Sequence, residues 1–145
     1  MYTTERYNDE WKPAHFESNG MIQLNGEEVK YHTVCEDTVL YDKEGKKVAS
    51  MFSFAYFRDG VETKDRPILF CFNGGPGSSS MYVHAGFFST KRLKYEEVDR
   101  STSLPPYEVI DNPDCLLDVA DIVCIDPVGP GYGILFDVYT RKDFF

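Results

Sequence analysis

The chain has 145 residues, enough for one compact domain and short for two, and its 42% hydrophobic and 15% aromatic content supplies the material of a buried core. A formal charge of −9 with a pI near 4.7 disfavours phosphate backbones and anionic lipid, so no nucleic acid and no membrane surface is expected as a partner. The four cysteines and three histidines show no CxxC pair and no zinc-ligand spacing, so neither a metal nor a cofactor is expected.

Met1–Gly20 is polar and lacks a sustained period, and is read as a loosely held arm ahead of one domain over residues 21–145. Glu5, Arg6, Asp9 and Glu10 stand where a signal peptide needs an apolar stretch, which points to the cytoplasm. From Met21 to Phe57 the pattern is that of strands: Val29, Tyr31 and Thr33 alternate with Lys30 and His32, Thr38–Tyr41 is β-prone, and Val48–Phe57 is rich in aromatics. Asp42-Lys43-Glu44-Gly45-Lys46 suits a hairpin connection, giving an antiparallel ribbon. Phe52, Phe54 and Tyr56 share one face and Met51, Ala55 and Phe57 the other, which places that strand inside a sheet. His32 falls on the lysine-bearing face and reads as a surface histidine.

Two short apolar runs, Ile68–Phe72 and Ile122–Ile125, have the character of buried parallel strands, with Cys71 and Cys124 as small core hydrophobes. Each stops at a glycine-rich loop, Asn73-Gly74-Gly75-Pro76-Gly77 and Asp126-Pro127-Val128-Gly129-Pro130-Gly131. Between them Ser78–Phe88 suits a helix capped by Ser78 or Ser79. The basic run Lys91-Arg92-Leu93-Lys94 is offset by Glu96, Glu97 and Asp99, and Leu104-Pro105-Pro106-Tyr107 is expected to be irregular.

The first glycine loop carries the chemistry. Three glycines and a proline within Asn73–Gly77 exceed what a turn needs, which suggests backbone amides brought close to a ligand: a carboxylate, a phosphate or the oxyanion of a tetrahedral intermediate. A P-loop needs GxxxxGK[ST] and a dinucleotide fingerprint GxGxxG; neither spacing is present, so nucleotide binding is disfavoured.

The stretch PILFCFNGGPGSSS over residues 67–80 resembles a signature of the serine carboxypeptidase family, and IVCIDPVGPGYG over residues 122–133 resembles that family's second signature, in the same order. The intervening Pro105-Pro106-Tyr107, Asp111-Asn112-Pro113 and Leu116–Asp121 resemble its bacterial branch, and the likeness spans roughly residues 22–133. It implies the N-terminal part of an α/β-hydrolase fold: an antiparallel ribbon leading into parallel strands, with the sheet incomplete. It further implies that Asn73 and the Gly74 amide hold the free C-terminal carboxylate of a peptide, that the Gly75 amide is one of two oxyanion donors, and that Pro76 and Gly77 shape the turn.

The family's secreted members often carry cysteine at the position of Ser78, and many place an aromatic residue where Cys71 stands here. Tyr132-Gly133 replaces the usual Tyr-Ser, and Ile134–Phe145 is shortened relative to the pattern. No serine of Ser78-Ser79-Ser80 has the G-x-S-x-G context of a nucleophile, and the family's triad would follow the last residue, so the chain alone is expected to be inactive. Neither is His84, a helix-face histidine, expected to belong to a triad. Three readings follow: part of a peptidase completed by a complementary C-terminal chain, a non-catalytic module for peptide C-termini or another carboxylate, and an interaction protein whose sheet pairs with a partner.

Overall fold

The computed structural model describes residues 10–75, 77–94, 108–136 and 139–144. Three long strands open the fold: β1 (His15–Leu24), β2 (Glu27–Tyr41) and β3 (Lys47–Arg58). Asn25 and Gly26, with φ of 51° and 82°, form a two-residue turn of the primed type whose twist matches the strands, fixing Leu24 opposite Glu27. The next turn is closed by Asp42, whose Oδ1 accepts hydrogen bonds from the amides of Glu44 (2.9 Å) and Lys46 (2.8 Å), with Gly45 at φ 80°. The expected arm overlaps β1, because His15–Gly20 pair with Tyr31–Glu36; residues 1–9 lie outside the described region.

β4 (Ile68–Cys71), β5 (Lys91–Leu93), β6 (Val109–Asp111), β7 (Asp121–Asp126) and β8 (Ile134–Leu135) follow. The main sheet runs β1-β2-β3-β7-β4, β8 pairs with β3, and β5 and β6 form a separate hairpin. Lys91 pairs with Asp111 and Lys94 with Glu108, so the basic run meets its countercharge across that hairpin. Glu96, Glu97, Asp99 and Leu104–Tyr107 lie outside the described residues.

The expected α/β class, with parallel strands and crossover helices, is not what forms. The described chain is rich in β-strand and its sheet is mixed: among the described pairs β4–β7 alone is parallel. The reason lies in the connections. Tight turns join β1 to β2 and β2 to β3, and such turns produce antiparallel neighbours. Among the described residues, the helical segments between β4 and β7 are an α turn at Met81–Val83, a π turn at His84–Phe88 and a 3-10 turn at Leu116–Asp118. The expected helix over Ser78–Phe88 is thus shorter, and its N-cap is Ser80 rather than Ser78 or Ser79. Asn112 ends it, its Nδ2 donating to the carbonyls of Phe87 (2.7 Å) and Ser89 (2.8 Å).

One sheet face holds the main core. Cross-strand register aligns Phe16, Cys35, Phe54, Cys124 and Cys71 in a row across five strands; Phe16 at the edge is exposed, while Cys124 and Cys71 join Ile22, Leu24, Val29, Tyr31, Tyr56, Cys115, Leu117 and Ile122 in the buried cluster, with Phe54 packed against it. Tyr31 fits because Gly20 opposite it has no Cβ, which would overlap the ring. A smaller cluster of Val48, Ala49 and Val128 packs against Leu135, Tyr139 and Phe144. At the start of β4 and β7 the Arg66–Asp121 pair (3.0 Å) is largely buried, and Arg66 Nη2 also donates to the Leu117 carbonyl (2.9 Å). The paired ends of β4 and β7 are thereby held in register from behind.

Candidate functional site

Because β4 and β7 are parallel neighbours with Cys71 opposite Cys124, their carboxyl ends deliver both glycine loops to one end of the sheet. In open α/β sheets ligand sites collect at such ends, and this mixed sheet has one parallel pair of that kind among the described strands. Asn73 is half-buried, whereas Gly74 and Gly75 are exposed. Gly75 has φ 99° and Gly77 φ 79°, conformations that favour glycine. Gly74 differs: its φ is not positive, and a Cβ there would meet nothing within 4 Å. Nothing in the described fold therefore requires glycine at 74. Among the described residues, no hydrogen-bond partner is found for the Asn73 side chain or for the amides of Gly74 and Gly75. Pro76, expected to shape this turn, lies outside the described residues.

Asp126, the last residue of β7, joins the two loops. The residue is 2% exposed. Oδ1 accepts from Ser79 Oγ (3.0 Å) and the Ser80 amide (2.6 Å), and Oδ2 accepts from the Tyr132 amide (3.1 Å). Ser80 Oγ donates to the Ile125 carbonyl, adding a third tie between the segment after β4 and the end of β7. Gly131, at φ 65°, passes so close that a Cβ would overlap the Asp126 carboxylate, and a Cβ at Gly133 would overlap the Pro127 carbonyl. Both glycines are required by packing.

Ser79 and Ser80 are thus committed to Asp126 and to β7, and Ser78 Oγ sits 3.3 Å from where a Gly75 Cβ would lie. None of the three side chains is hydrogen-bonded to an imidazole among the described residues; the His84 amide donates to the Ser80 carbonyl (2.8 Å). His84 stacks on Phe54 (centroids 4.3 Å) and its Nε2 lies 2.7 Å from Tyr56 Oη, which also reaches Ser89 Oγ (3.2 Å). Burial pushes the His84 imidazole below its ordinary range, partly opposed by the charge of Asp126, while burial pushes the Tyr56 phenol well up. A neutral imidazole wedged between two aromatic residues is a packing element. The other histidines are surface groups: His32 pairs with Asp59 (2.8 Å) and stacks on Phe57, and His15 meets Glu17 and Glu36 at 2.9 Å each.

Cys71, Cys115 and Cys124 are buried free thiols, pushed up chiefly by burial, which keeps them protonated and unreactive. Among the described residues no group of three or more His, Cys, Asp or Glu is arranged to hold a metal ion, and no helix is long and apolar enough to cross a membrane.

The three residues assigned by resemblance, Asn73, Gly74 and Gly75, are consecutive in one loop beside the end of β7. Asp126 and Gly131, which bind that loop to its neighbour, were not singled out from the sequence. The available signal was an acidic residue closing an apolar run, where burial demands donors. No family model matches the chain, and no curated protein matches it.

Proposed function

We propose that this chain carries the carboxylate- and oxyanion-binding loop of a serine-type carboxypeptidase. Asn73 Nδ2 and the Gly74 amide hold the free C-terminal carboxylate of a peptide, and the Gly75 amide is an oxyanion donor. An uncharged amide side chain and preset N–H groups bind an anion without introducing a titrating cation. The nucleophile and its histidine come from a complementary C-terminal segment or chain, and the free thiols suit a reducing, cytoplasmic setting.

The observation that carries this reading is Gly74: an exposed glycine whose backbone and surroundings do not require one, next to an exposed Gly75 that has positive φ. Close approach of a ligand to the backbone supplies the missing reason. A second reading, a non-catalytic module for peptide C-termini, is favoured by the commitment of all three histidines to other partners.

Calorimetric titration with benzoyl-Gly-Phe and with its C-terminal amide tests the shared core of both readings. The acid is expected to bind at least about tenfold more tightly, a difference of about 1.4 kcal/mol. Equal affinities, or no binding of either, would remove the carboxylate role.

A further inference from the structure

Asn73, Gly74 and Gly75 take no hydrogen bond from the described residues, and further down the chain Ser79 and Ser80 are fixed. Both are fixed by a single carboxylate at the end of a different strand. That carboxylate simultaneously receives the Tyr132 amide of the other loop, so its two oxygens divide the loops between them. The residues around it leave no slack, because Gly131 is admitted only for want of a Cβ.

A buried carboxylate beside an anion-binding loop opposes the ligand's charge, and an apolar residue would avoid that opposition. What an apolar residue cannot do is accept three donors from two segments at once. The Ser80 and Tyr132 amides would then be left without acceptors in a buried setting, at the cost that attends unsatisfied backbone donors.

We propose that Asp126 is the positioning residue of this site: it clamps the segment after β4 to the segment after β7, and so fixes the direction in which the Gly74 and Gly75 amides point. This rests on the reading of the loop as a carboxylate site. Asp126 touches no ligand in this scheme and acts through Ser79, Ser80 and Tyr132.

The test is Asp126→Asn in the full chain. The amide keeps one acceptor oxygen for Ser79 and Ser80 but turns an NH2 toward the Tyr132 N–H, so one of the two links is lost. Two quantities are read: the heteronuclear NOE of the Gly74 and Gly75 amides, and the affinity for benzoyl-Gly-Phe relative to its amide. Both should fall, with the preference for the acid reduced about tenfold, the loss expected for one charge-assisted hydrogen bond. The amides of Ile122 and Cys124 should keep their hydrogen-exchange protection, which separates a loosened loop from a loosened sheet.

If Asp126→Asn does not fold, Ser79→Ala serves. It removes one donor and leaves the Ser80 and Tyr132 amides in place, and it should loosen Gly74 and Gly75 in the same direction by a smaller amount. Unchanged NOE values at Gly74 and Gly75 in a folded variant would overturn the proposal. So would an unchanged acid preference in a folded variant. If the wild-type chain binds neither ligand, the carboxylate reading fails by itself, while the NOE values still decide whether Asp126 positions the loop.

Discussion

A single glycine and a single histidine separate what the fold requires from what a ligand would require. Gly131 is required by packing, since its Cβ would overlap the Asp126 carboxylate at a positive φ. Gly74 is not, so Gly74→Ala should leave the denaturation midpoint nearly unchanged, within about 0.5 kcal/mol, as for surface changes away from special geometry. It should nevertheless weaken benzoyl-Gly-Phe at least about tenfold, because the methyl stands where the ligand approaches. A loss of stability with binding intact would reverse the assignment. His84 gives a second test. Its imidazole is pushed down in the folded state by burial, so the unfolded chain binds the proton more readily. Its contribution is therefore complete above the unfolded value and is lost as pH falls through that value toward the folded one. His15, held up by Glu17 and Glu36, contributes in the opposite sense, but it is exposed and screened. Urea midpoints at pH 8 and pH 5.5 should fall further for the wild type than for His84→Phe, which keeps the ring against Phe54; equal losses would show that His84 is not the group responsible. From sequence, residue types at the loop were legible, whereas the division of labour among its glycines was not. Only φ and the surrounding space distinguish Gly74 from Gly75.

The elements were legible where their signals are local. Asp42–Lys46 forms the turn its composition suggests, Phe52, Phe54 and Tyr56 share a face, and the runs at β4 and β7 are strands that pair with each other. Asn25-Gly26 carries an equally strong turn signal, and the turn it forms pairs a strand running back through His15–Gly20 with β2. The class expected from resemblance failed for a different reason: a sequence signature describes loops and strand ends, while class depends on the long connections between them. Here the described parts of those connections are turns, short helical segments and the β5–β6 pair, and β3 closes antiparallel on β7. The β4–β7 pair also depends on a buried ion pair at its rear. Arg66→Ala leaves Asp121 buried beside an unpaired Leu117 carbonyl, and should cost roughly 3–5 kcal/mol, the range for breaking such a pair from one side. Thermal unfolding would record this as a large drop in Tm. A change near zero would mean that β4 is held by its apolar contacts alone.

At the scale of the whole molecule, the described residues hold the proposed binding loop, and among them no serine side chain is hydrogen-bonded to a histidine other than through Tyr56. Its three histidines are engaged with Glu17 and Glu36, with Asp59, and with Tyr56, and the loop serines 79 and 80 serve Asp126. The 145-residue chain should therefore show no carboxypeptidase turnover on blocked dipeptides beyond the weak residual expected from binding and oxyanion contacts. Turnover abolished by Ser78→Ala, Ser79→Ala or Ser80→Ala would require another mechanism. The outward side chains of β4, Ile68 and Phe70, together with Phe72, are exposed, so the strand that carries the loop presents an apolar surface as well. The central claim is that Asn73, Gly74 and Gly75 recognise a carboxylate, and residue-resolved NMR addresses it most directly. On titration of the 15N-labelled chain with benzoyl-Gly-Phe, the account predicts saturable shifts of the Gly74 and Gly75 amides and of the Asn73 side-chain NH2. These should be absent with the C-terminal amide and lost in Asn73→Ala. Shifts located elsewhere, or identical shifts with the acid and the amide, would contradict it.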